Sequence, residues 1–151
     1  MTSRIGKDAT VYFELDARGA WVMLGRATYG SVMQGAGINF SRESALAYAE
    51  ATRDLTPILG RKPMDIFRRE DDSDYIEVKL YRADIASVCN AASDLDFMLL
   101  SRGVEGLHVA TWSPPSPFYN VRALTRGDFK PPIRTFYLYD CGQIRRESEP
   151  G

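Results

Sequence analysis

Residues 75–103 read YIEVKLYRADIASVCNAASDLDFMLLSRG, and this stretch decides the predicted fold. Over residues 75–81, Ile, Val and Leu alternate with charged or aromatic residues, a period of two that is typical of a half-buried strand. Asp84 is a good helix N-cap, and apolar residues recur after it at helical spacing. Arg102 followed by Gly103 is a typical helix end. The stretch therefore predicts a strand that runs directly into a long helix.

The strands predicted around this unit are mostly antiparallel. Residues 10–15 and 21–29 are rich in β-branched and aromatic residues and flank a glycine-containing turn, so they predict a first hairpin. Residues 64–69 and 75–81 flank an acidic turn and predict a second hairpin. Further strands are predicted at residues 107–112, 118–124 and 133–139.

Four other segments are less regular. Residues 41–52 fit either a helix capped by Ser41 or an irregular edge strand, and their alanine content favours the helix slightly. Residues 56–63 contain two prolines and predict a loop. Glycines at three positions predict a flexible arm at residues 30–37, and residues 143–151 predict a loose, polar C-terminal tail.

The elements together predict the fold class. The chain has 151 residues and shows no repeat or composition shift, so we expect a single domain over residues 1–151. The predicted fold is mainly β, of the α+β class: an antiparallel β-sandwich or small barrel with one flanking α-helix. The apolar runs are too short to span a membrane, and the first residues lack the apolar stretch of a signal peptide. We therefore expect no membrane association and synthesis in a cytoplasm.

Composition restricts the function. With 19 basic and 20 acidic residues the net charge is -1, which argues against a dedicated binder of nucleic acid or anionic membrane. The single histidine excludes metal sites that need two imidazoles from one chain. Cys89 and Cys141 cannot form a Cys-x-x-Cys site and make a poor disulfide framework, although one bridge stays possible. We expect reduced cysteines, with Cys89 packed in the core and Cys141 more exposed.

One constellation is typical of an enzyme. Asp65, followed twelve residues later by Glu77 and then Lys79, resembles the Pro-Asp…(Asp/Glu)-x-Lys nuclease core, in which two carboxylates hold Mg²⁺ and the lysine supports the attacking water. Glu43 or Glu50 could complete that site, but methionine stands where the core usually has proline. The simpler interpretation is that Glu77 and Lys79 are outward-facing charges on a half-buried strand, and we prefer it.

Three weaker motifs are explained better by a structural role than by a functional one. Residues 30–37 have the glycine spacing of a phosphate loop but lack its Lys-Ser/Thr ending. Asp71, Asp72 and Asp74 lack the glycine and glutamate that a calcium-binding EF-hand loop requires. His108 stands alone on a predicted strand, where a packed or surface side chain is the commoner role. None of these motifs predicts a cofactor.

Several patterns resemble phage tail-tube and related tail proteins. Residues 19–28 (GAWVMLGRAT) carry a tryptophan and a Leu-Gly pair, residues 54–58 (DLTPI) contain a Thr-Pro pair, and the predicted strand 76–80 runs directly into the predicted helix 84–98. The resemblance covers roughly the first two thirds of the chain and rests on pattern, with no diagnostic motif. The last third is not specifically matched, which leaves tube, terminator and other ring proteins as alternatives.

The resemblance implies a non-enzymatic virion protein that forms stacked, hexameric rings around a DNA channel. Its partners would be copies of itself and other tail proteins, with DNA passing through without specific binding, and it would need no cofactor. It would be assembled in the host cytoplasm and reside in the phage tail. The arm at 30–37 and the tail at 143–151 would reach neighbouring subunits. The acids expected to line the channel are Asp71, Asp72, Asp74 and Glu77. A small Mg²⁺-dependent nuclease is the alternative, and a plain binding module is a third hypothesis.

Overall fold

The computed structural model describes residues 4–14, 19–30, 41–59, 79–114 and 135–148. The strands among them are β1 (Thr10–Phe13), β2 (Ala27–Thr28), β3 (Phe97–Leu100), β4 (Ala110–Trp112) and β5 (Phe136–Asp140). The helices are a short π-helix (Gly19–Leu24), α1 (Arg42–Asp54), α2 (Thr56–Leu59), α3 (Arg82–Ala91) and α4 (Cys141–Ser148).

The five described strands form one mixed sheet in the order β2-β1-β3-β5-β4. β1 pairs in parallel with both β2 and β3, whereas β5 pairs antiparallel with both β3 and β4. The strand β3 is therefore central, with Met98 opposite Tyr12 of β1 on one side and opposite Tyr139 of β5 on the other. β2 and β4 lie at the two ends, so the sheet formed by these strands is open.

Both faces of the sheet are buried. Side chains alternate along each strand, so that the two faces take different residues. The face toward the helices is packed with α2, α3 and α4; its strand residues are Tyr12, Met98, Leu100 and Tyr139. The opposite face is packed with the N-terminal segment and the π-helix; its strand residues are Val11, Phe13, Leu99, Phe136 and Leu138. This double burial explains why the central strand is apolar throughout.

The long helix predicted from Asp84 to Arg102 is wrong in its second half. α3 ends at Ala91, and the predicted helical residues Phe97–Leu100 form the central strand. The physical reason is that a strand buried on both faces presents a continuous apolar run, which periodicity does not distinguish from a buried helix. At the start of α3, the Asp84 carboxylate accepts a hydrogen bond from the Tyr81 backbone N–H at 2.8 Å, so Tyr81 occupies the N-cap position that was predicted for Asp84.

The predicted first hairpin is also wrong. β1 forms as expected, but residues 21–29 divide into the end of the π-helix and the two-residue strand β2, which pairs with β1 in parallel. The apolar run from Trp21 to Leu24 does not alternate, which favours a helical turn over a half-buried strand. Gly25 follows the helix with a positive φ of 62°, a conformation that glycine adopts without steric cost.

Other predicted elements have mixed outcomes. The ambiguous segment 41–52 is helical, and the Ser41 hydroxyl caps α1 by accepting from the Ser44 backbone N–H at 3.3 Å. β4 lies within the strand predicted at 107–112. β5 overlaps the strand predicted at 133–139 and ends one residue beyond it. The predicted loop at 56–63 begins with α2. Lys79, Leu80 and Tyr81 are not in a strand, and the other residues of the second hairpin, with the strand at 118–124, lie outside the described residues.

The described residues belong to the α+β class, as predicted, but helical residues outnumber strand residues and more than one helix flanks the sheet. These strands do not close into a sandwich or a barrel. Of the predicted C-terminal tail, residues 143–148 form most of α4 and are not loose, because Ile144 packs into the core. Of the predicted glycine arm, only Gly30 is described.

Cys89 and Cys141 are joined by a disulfide bond, contrary to the expectation of reduced cysteines. The fold places the last turn of α3 against the first residue of α4, so two residues separated by 52 positions in sequence have Cα atoms 5.0 Å apart. Both side chains are fully buried, which confirms core packing for Cys89 and corrects the exposed position expected for Cys141. Sequence separation failed as a guide because it does not determine distance in the folded chain.

Candidate functional site

Of the three residues of the expected nuclease core, only Lys79 is described, while Glu43 and Glu50, which could complete that site, are exposed on α1. Asp65 and Glu77 lie outside the described residues, as do the other acids expected to line a channel: Asp71, Asp72 and Asp74. Lys79 precedes α3, and its Nζ lies 5.5 Å from the centroid of the exposed Tyr81 ring. That distance is typical of a cation–π contact at the surface. The described residues thus bring no nuclease constellation together.

The other side chains considered as candidate site residues make contacts within the fold. Glu50 lies on the exposed side of α1, where one carboxylate oxygen is 3.7 Å from Nη2 of Arg53. His108 has its Nδ1 3.1 Å from the Val104 carbonyl oxygen, and its ring packs edge-on against Tyr137 with centroids 5.1 Å apart. In the described part of the chain, no group of three or more His, Cys, Asp or Glu residues could hold a metal ion. Nor does any described helix combine the length and apolarity that crossing a bilayer requires.

A polar cluster lies where the parallel strands β1 and β3 end. Glu14 follows β1, and Ser101 and Arg102 follow β3, so the carboxyl ends of both strands bring them together. One Glu14 oxygen accepts from Arg102 Nη2 at 2.7 Å and from Arg102 Nε at 3.1 Å. The other accepts from the Ser101 backbone N–H at 2.6 Å and from its hydroxyl at 2.7 Å.

This cluster acts as a clamp on the fold. A carboxylate offers about four acceptor positions, and all four on Glu14 are occupied by donors. Arg102 also donates to the Ile58 carbonyl at 2.9 Å, which ties α2 to the same strand ends. Because the acceptor positions of Glu14 are occupied within the fold, the cluster is better suited to hold three elements together than to contact a substrate.

A polar groove of about 380 Å³ lies between α1 and the end of α3. The Tyr29 hydroxyl at its edge donates to the Asp54 carboxylate at 3.0 Å, and Arg53 Nε lies 3.5 Å from the other Asp54 oxygen. Burial, reinforced by the hydrogen bond to Asp54, raises the pKa of Tyr29 well above its usual value. The phenol therefore stays protonated and acts as a donor that fastens the end of β2 to α1.

An exposed apolar surface lies on the π-helix. Its three consecutive side chains are Trp21, Val22 and Met23, and they are 46%, 81% and 40% exposed, respectively. We call these residues the Trp21–Met23 surface. The helix that carries them packs against β1 and β2. Three adjacent exposed apolar side chains, one of them a tryptophan, are typical of an interaction site, whereas single exposed ones are common on any protein.

Local structure holds this surface in place. Ala20 and Leu24, on either side of it, are buried in the core of the sheet face that the π-helix covers. The Gly25 backbone N–H donates to the Trp21 carbonyl at 3.1 Å, and the Arg26 backbone N–H donates to the Ala20 carbonyl at 3.0 Å. The Arg26 guanidinium then donates to the Ile5 carbonyl at 2.9 Å. The exposed side chains therefore sit on an anchored support. π-helical turns are rare and often occur at functional sites.

Comparison with known proteins adds no family assignment: no family model, no curated protein and no solved structure matches this chain. The resemblance to tail proteins therefore stays a prediction.

Sequence reasoning missed the Trp21–Met23 surface because it assigned these residues to a strand, where alternate side chains would be buried. One signal was available. The apolar run from Ala20 to Leu24 stops at Gly25, and Ala20 and Leu24 are four positions apart, so in a helical turn these two share one face and Trp21–Met23 point away from it. The clamp formed by Glu14 and Arg102 gave no such signal, because the two residues are 88 positions apart.

Proposed function

We propose that this chain is a self-associating structural subunit, and that its assembly is a phage tail tube of stacked, hexameric rings around a DNA channel. The observation that carries self-association is the Trp21–Met23 surface, which exposes apolar area on an anchored turn. The Trp and Leu-Gly of residues 19–28 and the Thr-Pro of residues 54–58 are the sequence features that support the more specific identification as a tail protein, although residues 19–24 form a π-helix and not the strand that the resemblance assumed.

The apolar surface has enough area to matter energetically. Fully burying a Val or Met side chain contributes about 1.5–3 kcal/mol, and aromatic residues dominate most interfaces. These three side chains are already partly covered, so burying the remainder would contribute on the order of 3 kcal/mol per copy. In a ring each subunit contributes this surface to one of its two contacts. A closed ring of n subunits therefore contains n such contacts.

A second copy of this chain is the partner that the charge balance favours. The 19 basic and 20 acidic residues nearly cancel, so two copies approach without strong long-range repulsion. A chain with a large net charge of one sign would instead favour a partner of opposite charge. Ring formation also requires that the Trp21–Met23 surface meet a different surface of the neighbour, because like-to-like contact closes a dimer.

The finer architecture belongs to the same proposal. The predicted antiparallel arrangement is wrong, because β1 pairs in parallel with β2 and β3. Tail-tube subunits resemble one another in having a sandwich or barrel, and we expect the mixed sheet to be completed into one in the assembly, with sheets of adjacent copies continuing around the channel. Other tail proteins would cap the tube, and DNA would pass without specific binding. The acids proposed to line the channel are Asp71, Asp72, Asp74 and Glu77.

The proposal is tested by the size and shape of the purified full-length chain. We expect rings or tubes in negative-stain electron micrographs and a mass well above 16.9 kDa by light scattering. The triple variant Trp21→Ser, Val22→Thr, Met23→Gln should be monomeric. Leu46→Gln is the matched control, because Leu46 is 60% exposed on α1 and should leave assembly unchanged. A wild-type chain that stays monomeric at every concentration would rule out self-association.

The alternative function, a small Mg²⁺-dependent nuclease, is tested with the same preparation. It requires Asp65, Glu77 and Lys79 to act together, and it predicts a monomer that cleaves DNA only when Mg²⁺ is present. Lys79→Ala should abolish that cleavage. Divalent-dependent cleavage that Lys79→Ala removes would replace the structural proposal with this one.

A further inference from the structure

The Cys89–Cys141 disulfide is enclosed by apolar side chains. Neither cysteine has any exposed surface, and both belong to the buried cluster that also contains Val88, Leu95 and Ile144. The bond joins the last turn of α3 to the junction of β5 and α4, where the Cys141 backbone N–H donates to the Asp96 carbonyl at 2.9 Å. It therefore staples the helical layer to the sheet.

α4 covers this bond with the same face that carries Cys141. Residues three and four positions apart share a helix face, so Ile144 and Arg145 lie on the side of Cys141. Ile144 is buried. Arg145 Nε donates to the Cys89 carbonyl at 2.6 Å, and its Nη2 donates to the Ala92 and Leu95 carbonyls at 2.6 and 2.7 Å. The guanidinium thus fastens α4 across the end of α3, directly beside the disulfide.

We propose that α4 is a gate for the redox state of the Cys89–Cys141 bond, which exchanges with external thiols only after the Arg145 face of α4 lifts from α3. Thiol–disulfide exchange requires a thiolate to reach one of the two sulfurs, and both are inaccessible in the closed structure. Once formed, the bond would persist in a reducing environment for as long as the gate is closed.

α4 is well suited to open locally. It has eight residues, and isolated helices this short are marginal in water, so its helical state depends on docking. Besides the disulfide, the contacts that dock it are the Ile144 side chain, the three Arg145 hydrogen bonds and an ion pair between Arg82 Nη2 and Glu147 at 2.9 Å. None of these contacts joins one strand to another, so opening α4 leaves the pairing of the sheet intact and costs less than global unfolding.

Reduction of the Cys89–Cys141 bond by a dithiol takes two successive exchanges. A thiolate of a dithiol reagent attacks one sulfur of the Cys89–Cys141 bond, which breaks, and the other cysteine leaves as a thiolate that takes up a proton. The second thiol of the reagent then attacks the mixed disulfide, releases the remaining cysteine and leaves the reagent as a cyclic disulfide. Two electrons and two protons pass from the reagent to the protein. A low-molecular-weight disulfide carries out the reverse reaction.

The test measures how fast dithiothreitol reduces the folded full-length chain, by alkylating new thiols at intervals and weighing the intact protein. Arg145→Met keeps the aliphatic length of the side chain and removes its three hydrogen bonds. We expect it to accelerate reduction at least about tenfold, since hydrogen bonds from charged groups are individually worth more than neutral ones. Arg146→Met is the matched control, because Arg146 is the adjacent residue and is exposed.

Global unfolding is the competing route, and Tyr139→Phe controls for it. That variant removes the hydrogen bonds of the Tyr139 hydroxyl to Arg102 and Val104 and so lowers stability without touching α4. The proposal expects Tyr139→Phe to accelerate reduction much less than Arg145→Met, even where the two variants lose equal stability in urea. Equal rates for the Arg145 and Arg146 variants, equal acceleration by Tyr139→Phe, or two free thiols in protein purified without reductant would each overturn it.

Discussion

The two faces of the sheet differ in how completely the elements packed on them bury their own apolar side chains. On the face of α3 and α4, apolar side chains are buried and the elements are cross-linked by the Cys89–Cys141 bond and by Arg145. On the face of the π-helix, the strand residues are equally buried, but the turn that covers them exposes Trp21, Val22 and Met23. Among the described residues, three adjacent exposed apolar side chains occur only on the second face. In the proposed assembly, the first face would serve stability and the second would contact a neighbouring copy.

Removing the disulfide should cause the largest loss of stability, and it acts on the face covered by α3 and α4. Cross-linking residues 52 positions apart restricts the unfolded chain, and the chain-entropy model gives about 4 kcal/mol for a loop of this size. The double variant Cys89→Ala, Cys141→Ala should therefore lose about that much free energy of unfolding in urea titrations. A loss below about 1 kcal/mol would show that α4 and α3 are held mainly by their other contacts.

Gly103 tests how tightly the same face is packed. A Cβ at this position would lie 2.6 Å from the Tyr137 ring, which itself packs against His108. Gly103→Ala should cost about 1–3 kcal/mol, because the ring has to move out of a packed position. Gly6→Ala is the matched control, since a Cβ at Gly6 meets nothing within 4 Å and should change stability little. Equal values for the two variants would mean that the Tyr137 ring shifts freely.

Alkaline pH should weaken the fold through its buried phenols. Burial raises the pKa of Tyr29, Tyr48 and Tyr139 above the usual value near 10. Above about pH 10 the unfolded chain has lost these protons while the folded chain keeps them, so stability falls as pH rises through that range. Below pH 10 both states are protonated and this contribution is fully present. Urea titrations between pH 8 and pH 11 should show the decline, at about 1.4 kcal/mol per pH unit for each phenol at most.

Tyr29→Phe and Tyr139→Phe sharpen that measurement. Each variant removes one phenol from the titration, so each should make the decline above pH 10 shallower, while also lowering stability at pH 8 through lost hydrogen bonds. A decline that is unchanged in both variants would assign the alkaline weakening to other groups.

Local patterns predicted the elements that depend on nearby residues. Ser41 caps α1, which is the alternative that the alanine content favoured slightly, β1 and β5 followed from their β-branched and aromatic residues, and Cys89 was placed in the core. Each of these outcomes is decided within a few positions of the chain. Helix caps and strand propensities act over that range, so the sequence carries the information in readable form.

Tertiary contacts decided what local patterns could not. Leu95, Met98 and Leu99 continue the helical spacing of α3, but burial on both faces of the sheet makes the last two part of a strand. Arg145 donates to carbonyl groups at and just after the end of α3, which lie 50 or more positions away in the sequence. The parallel pairing of β1 with β2, which follows the turn that carries the Trp21–Met23 surface, had no local signal. The candidate site was missed for the same reason as the topology.

The smallest effect on stability is expected on the face covered by the π-helix, at the Trp21–Met23 surface. This prediction distinguishes the two faces most clearly. The triple variant Trp21→Ser, Val22→Thr, Met23→Gln changes side chains that are 46%, 81% and 40% exposed, so the free energy of unfolding of a single copy should fall by only about 1–2 kcal/mol. The same variant should abolish assembly, because a contact between copies buries what the single copy exposes. Urea titration at low protein concentration, set beside light scattering at high concentration, measures both quantities. A loss of several kcal/mol in the monomer would instead show that these side chains serve the fold itself, and self-association would then lose the surface that carries it.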